Sequence, residues 1–483
     1  VRAVTALAFG AASVLTAVLV WRRVPRLRAW PPALGLLVAV FTVVPPHQTI
    51  AAGVGVDDLL FLLGLALLVP SAWRHGPLGR VPYGRGLVLG AGLLAAGATV
   101  SAFVNADALP DTVDLLFRGP GRLLLYVAMV LVVLAQSPPE RTRWVVARAL
   151  AGVGAFESAF SVVAYFVGLP GGFGLQPAEG NTSLVGEIPG RVTGTLDLSP
   201  NFLGALLVLS IPVALGIALD ASERRTRLWW SAAVLVQMVA LVLTYTRSSL
   251  AVTVLAAAAL VALRGRLRWL VGGAAVLVGV LVLVPPAFER IAHDRTDRMA
   301  LYTSGLRVFL HYPLAGVGPG EQAAFTAADP ATYRTTTFGV AGNNAHNTVL
   351  LAGAENGILG LLGALVLNVV LAAVAVAVIR RARKLSAAGR PAAGEPLGIG
   401  VAVLAFLFQG MANNLFTVTL TASALVMLVA GCALPWLAAD GPPRQVGAEE
   451  SPGVEPEPEP ELDAESESEP QSELEPQAEP EAR

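Results

Sequence analysis

Four polar side chains stand out in a chain that is otherwise mostly apolar: His346 in "AHNTVLL", Arg298 and Tyr302 in "DRMALYTSGLRVFL", and Arg247 in "TYTRSSL". Imidazole titrates near neutrality, so His346 suits the removal of a proton from a hydroxyl nucleophile. A guanidinium is permanently charged and forks onto oxyanions, so Arg247 and Arg298 suit a phosphate or diphosphate. Each has a plainer reading beside this one. His346 precedes Asn347 and Thr348, either of which can cap a helix, and the arginines can serve as simple anchors to lipid phosphates. The other histidines, at 47, 75, 293 and 311, lack a comparable setting.

What must position these residues is a membrane-embedded scaffold. Of 483 residues, 55% are hydrophobic and 14% charged, against roughly 25% charged in soluble domains, and mean hydropathy is +0.65. Cys432 is the single cysteine, which excludes an internal disulfide or a cysteine-based metal site. The net charge of -1 hides an asymmetry: residues 449–483 hold 14 of the 34 acidic side chains, leaving a basic surplus of 12 in the rest. That proline-rich acidic tail has too little apolar surface to offset the entropy of folding, so residues 439–483 are expected to be a disordered cytoplasmic segment.

Apolar runs close to the roughly 20 residues that span a bilayer are placed at 4–20, 31–46, 50–70, 86–104, 118–136, 145–168, 199–219, 228–245, 248–263, 269–285, 348–379, 397–415 and 417–437. They predict an all-α polytopic fold of about 12–13 transmembrane helices over residues 1–438. Arginine clusters occupy every second connection, around Arg22, Arg74, Arg141, Arg224, Arg264 and Arg380. Assigning them to the cytoplasm puts the C-terminus inside and the polar loops 169–198 and 286–347 outside. Arg247 then stands in a short outer connection, where the same trend disfavours a stray cation. No basic region beyond Arg2 precedes the first run, so no cleavable signal peptide is expected.

Within the extracytoplasmic loop 286–347, Met299, Tyr302, Leu306, Phe309 and Leu310 recur at helical spacing until Pro313 and glycines 316, 318 and 320. They predict an amphipathic helix on the membrane surface, with Arg295, Arg298 and Tyr302 on one face and Arg307 pointing away. Glu355 lies nine residues after His346, which at roughly 100° per residue puts it on the opposite side of a helix, in a supporting role. Asp57, Asp58, Arg118 and Arg122 are charged residues at membrane depth that either neutralise one another or line an anion path. A secondary transporter of a small anion, or an envelope scaffold using the acidic tail, is therefore the alternative to an enzyme. No Walker loop, nucleotide-binding glycine fingerprint, HExxH or GxSxG occurs, so coupling to ATP is not expected. No cofactor is expected, and no Asp-x-Asp pair in the outer loops suggests a metal.

The segments "GRVTGTLDLSPNFLGALLVLSIPVAL" from Gly190, "TYTRSSL" from Thr244, "DRMALYTSGLRVFLHYPLAGVGPG" from Asp297 and "AHNTVLLAGAENGILG" from Ala345 resemble the O-antigen ligase and O-antigen polymerase family of bacterial cell-envelope membrane proteins. The resemblance implies a membrane glycosyltransferase that moves glycan from an undecaprenyl-diphosphate carrier to an acceptor sugar or growing chain at the outer face of the plasma membrane. On it, His346 looks like the family's essential histidine, Arg298 like its loop arginine and Arg247 like its diphosphate-binding arginine. Thr-Arg-Ser-Ser stands here where many relatives have Ser-Arg-Gly. Arg191, Tyr302, Asn347 and Glu355 fall in the matching segments as supporting residues. The implied partners are a polyprenyl-diphosphate-linked glycan donor, a glycan or glycoconjugate acceptor and membrane lipids, with no nucleic acid. The reaction class is an inverting displacement without metal, the departing diphosphate charge being met by arginines.

Overall fold

Residues 200–220 are apolar on every side, and a helix of that kind is stable only when other elements surround it. In the computed structural model this helix is buried along almost its whole length. The structure describes residues 49–51, 54–55, 83–106, 139–167, 174–176, 182–183, 186–187, 191–195, 200–266, 268–283, 298–333, 344–387, 393–413, 415 and 420–438.

In chain order, strands β1 (Thr49–Ala51) and β2 (Val54–Gly55) pair antiparallel and are followed by helices α1 (Gly84–Val104) and α2 (Pro139–Val167). Next come β3 (Gly174–Gln176), β4 (Thr182–Ser183), β5 (Gly186–Glu187) and β6 (Arg191–Gly194), with β3 antiparallel to β6 and β4 to β5. The helices α3 (Pro200–Asp220), α4 (Arg224–Leu243), α5 (Arg247–Leu263), α6 (Arg268–Leu283) and α7 (Arg298–His311) follow. The short α8 (Gln322–Ala328) and α9 (Pro330–Tyr333) lead to α10 (Thr348–Ala387), α11 (Gly394–Gly410) and α12 (Leu420–Ala438).

The fold is all-α apart from the short ribbons, and five described helices, including α1, α3 and α4, are long and apolar enough to cross a membrane. Nine of the expected apolar runs, from 86–104 onward with 118–136 set aside, coincide with one helix each. The run at 50–70 does not start as helix. Thr49, Ile50 and Val54 are β-branched, and its first residues form the β1–β2 ribbon. The run at 397–415 also overreaches, because α11 ends at Gly410 and a turn follows. Residues 4–20, 31–46 and 118–136, the tail 439–483, and Asp57, Asp58, Arg118, Arg122 and Arg295 lie outside the described residues.

α3 packs against α2, α4, α5 and α11, and this group forms the core. α1 lies along α10 with the two backbones almost touching: a Cβ on Gly97 would collide with the backbone of Gly360, and one on Gly363 with that of Leu94. Small residues allow such approach, which is how helices gain van der Waals contact where hydrophobic burial offers nothing extra.

The overlong run at 348–379 has a physical explanation. α10 is two helices joined at Gly357, whose φ of 64° and ψ of -157° belong to a region that essentially only glycine adopts. Breaking the ladder frees carbonyls, and the chain after α7 supplies their donors. Val317 N–H donates to Ala354 O at 3.1 Å and Gly318 N–H to Glu355 O at 3.1 Å, while Ile358 N–H donates to Pro313 O at 2.8 Å. Ser101 of α1 adds a hydroxyl to Glu355 O at 2.6 Å. Irregular backbone inside a membrane protein persists only when its polar groups are paired in this way.

Candidate functional site

His346 sits one residue before the cap of α10. Asn347 is that cap: its Oδ1 accepts the N–H groups of Val349 and Leu350, both at 3.0 Å. His346 itself has a φ of 45°, and among the described residues only Tyr83 and Tyr245 share a positive φ without being glycine. Such a conformation costs on the order of 1–3 kcal/mol and must be imposed by its surroundings. Here the N–H of Ala345 donates to Gln322 Oε1 at 2.8 Å and that of His346 to Asn344 Oδ1 at 3.1 Å. Glu355, buried in the outer half of α10, accepts backbone N–H groups from Gly320 and Gln322. Its carboxyl group therefore braces the segment that holds the histidine loop; His346 lies outside α10, so the helical rotation expected between the two residues does not apply.

A second set of contacts gathers the other residues around the turn after α11. Arg298, at the start of α7, reaches Ala412 O, and Tyr302 one turn later donates its hydroxyl to Met411 O at 2.7 Å. Asn347 Nδ2 donates to the same Met411 O at 3.1 Å, and Thr348 Oγ1 donates to Asn413 O at 3.0 Å. On the far side of the turn, Asn413 Nδ2 meets Ser248 Oγ at 3.2 Å and Gln409 Nε2 meets Ser249 Oγ at 2.5 Å. The turn thus ties the start of α7, the start of α10 and the start of α5, where Arg247 is the first helical residue.

The turn before Arg247 is held separately. Arg191 of β6 donates to Thr244 O at 2.9 Å, to Thr246 Oγ1 at 3.1 Å and to Asn201 Oδ1 at 3.3 Å. Between those anchors Tyr245 takes a φ of 51° and its hydroxyl meets that of Tyr165 at 3.0 Å. β6 is fixed in turn by Glu157 of α2, which accepts both the N–H and the hydroxyl of Thr195, at 2.8 and 2.6 Å.

The electrostatics follow from this placement. Burial of His346 favours the neutral imidazole, and the nearby Arg298 charge adds to it, so the histidine pKa is held below its ordinary value of 6.5. The positive end of α10 acts in the same direction. Arg307 points away, donating to Thr332 O at 3.3 Å. His311 is engaged with Tyr333 and stands apart from the cluster. α7 turns its small face, Ala300, Ser304, Gly305 and Val308, to the protein, and leaves Met299, Leu306 and Leu310 exposed. The apolar stripe expected from spacing is therefore the outward face.

Residues 231–365 match the family model described as O-antigen ligase. The chain carries an O-antigen ligase domain. The matched segment contains Arg247, Arg298, Tyr302, His346, Asn347 and Glu355, and excludes Arg191 and the turn after α11. The match spans 135 of the 483 residues, in a chain whose described residues include five helices long and apolar enough to cross a membrane. A search of curated proteins finds no match to the chain.

Sequence reasoning missed the residues that join the cluster: Gln322, Ser248, Ser249, Gln409 and the backbone of Met411–Asn413. A signal is present in "FQGMANNLF", where glutamine and two asparagines interrupt the apolar run placed at 397–415. The Gln322 contact had none, since nothing in the local sequence says which distant N–H its amide meets.

Proposed function

We propose that the O-antigen ligase domain transfers a glycan from a polyprenyl-diphosphate carrier to a hydroxyl of an acceptor sugar, at the outer face of the plasma membrane. The observation that carries this reading is the proximity of Arg298 to a half-buried, neutral-favouring His346 in a strained loop. A neutral imidazole accepts a proton, and a permanently charged fork beside it receives an anion.

In the proposed step, the acceptor hydroxyl gives its proton to His346 while its oxygen bonds to the anomeric carbon. The bond from that carbon to the diphosphate oxygen breaks, and the polyprenyl diphosphate leaves with the electron pair. Attack opposite the leaving group inverts the anomeric centre. Arg298 and Arg247 meet the charge that develops on the diphosphate, as preorganised cations in a water-poor site. Arg191, Tyr302, Asn347 and Glu355 position these groups. The imidazolium then returns its proton to solvent.

The test is His346→Ala in cells that depend on the protein for surface glycan, with its abundance in the membrane followed in parallel. Transfer should fall by about 100-fold or more, the usual share of general base catalysis. Unchanged glycan at normal abundance refutes the assignment.

A further inference from the structure

Away from this cluster, α3, α4, α5 and α6 border a half-open cavity of about 850 Å³. It is lined by apolar side chains such as Ile211, Leu215, Met238, Val254 and Val261, with Ser231 and Arg268 as its polar members. α5 contributes Val254 to Val261 and α4 Ser231 to Val242, so the cavity runs almost to the turn before Arg247, and Arg268 marks its opposite end. That end is where Arg224, Arg225 and Arg227 open α4 and Arg264 and Arg266 follow α5.

α6 stands off from its neighbours across this space. A Cβ at Gly272 or Gly273, both lining the cavity, would meet no atom within 4 Å. The volume falls within the roughly 300–1,000 Å³ of small-molecule sites. A helix from another chain is excluded by size: at about 10 Å across, it would fill 850 Å³ in roughly seven residues. A flexible hydrocarbon chain suits the space. Its polar end must then reach Arg268, whose fork matches a phosphate.

We infer that this cavity is a binding site for an anionic phospholipid, with acyl chain between α4, α5 and α6 and phosphate at Arg268. The basic end of the helix group selects negative headgroups from the adjoining leaflet. A polyprenyl-diphosphate donor is not the expected occupant, because its diphosphate would lie at the wrong end for His346. The inference does not depend on the proposed reaction.

The experiment is native mass spectrometry of the full chain in detergent micelles supplied with phosphatidylglycerol or phosphatidylcholine. Wild type should retain phosphatidylglycerol about fivefold better, as one arginine at a membrane surface allows. Arg268→Gln should abolish that preference. Gly272→Leu with Gly273→Leu, at positions where a Cβ meets nothing within 4 Å, should reduce retention of both lipids at an unchanged unfolding temperature. Equal retention of the two lipids by wild type overturns the inference, as does full retention by the leucine variant. Displacement of phosphatidylglycerol by a polyprenyl phosphate would overturn the choice of occupant. If the leucine variant does not fold, the Arg268→Gln comparison still decides.

Discussion

Gly357→Ala tests whether the break in α10 holds the site. The glycine has φ 64° and ψ -157°, a conformation that costs another residue about 1–3 kcal/mol. A Cβ there would also collide with the Leu314 carbonyl, so the segment after α7 has to withdraw. Withdrawal puts at risk the three backbone hydrogen bonds from Val317, Gly318 and to Pro313. At about 0.5–1.5 kcal/mol each, they add roughly 1.5–4.5 kcal/mol. Alanine returns about 0.4–1 kcal/mol by narrowing the unfolded ensemble, which leaves a net loss of about 1.5–7 kcal/mol. Unfolding of the purified chain in detergent measures it, beside Gly92→Ala in α1, where a Cβ meets nothing within 4 Å and a gain of about 0.5–1 kcal/mol is expected. The same Gly357 variant should lose glycan transfer, since Gly320 and Gln322 follow the displaced segment and Gln322 holds Ala345. If Gly357→Ala unfolds within about 0.5 kcal/mol of wild type and transfers glycan normally, the bracing argument is wrong.

Other expectations follow from single contacts. Because the His346 pKa is lowered by burial and Arg298, the folded chain binds fewer protons there than the unfolded chain below pH 6.5, so this histidine's contribution to stability is lost as pH falls from 6.5 through the folded pKa. Arg298→Gln removes the charge, and the acid limb of the pH–rate profile for residual transfer should move to higher pH; an unmoved limb would separate Arg298 from the titration. Glu395 bridges Arg143 at 3.1 Å and the more exposed Arg148 at 2.7 Å. Glu395→Gln should destabilise by about 3 kcal/mol, the lower part of the range for breaking a buried pair, and a loss under about 1 kcal/mol in detergent unfolding would refute that. Arg191→Lys keeps the charge but not the fork that spans Thr244 and Thr246, so donor KM should rise with little change in unfolding; equal KM would show that the turn before Arg247 holds itself.

Helix positions were readable where apolar length alone decides them, as for α1, α3 and α5. Lipid and core both demand an unbroken apolar surface, and that demand is local in the sequence. The chemistry-bearing loops were readable as residue types, since His346, Arg298 and Arg247 are conspicuous against apolar flanks. Their mutual arrangement was not. It depends on backbone carbonyls at Met411, Ala412 and Asn413, and a carbonyl has no letter in a sequence. Spacing marks the apolar stripe of α7, whose Met299, Leu306 and Leu310 are exposed, without naming the residues that meet the protein. Small residues, Ala300, Ser304 and Gly305, proved to be the side that meets α10.

The pairing of Arg298 with His346 sets an order of events on the proposed function. The guanidinium charge suppresses protonation of the imidazole and so weakens it as a base. An anion settling on Arg298 cancels that field and raises the affinity of His346 for a proton. The base therefore gains strength when the carrier diphosphate arrives and loses it when the diphosphate departs. An empty enzyme would hold a poorly basic histidine, which protects acceptor hydroxyls and water alike from premature deprotonation and couples readiness for attack to the presence of something to attack.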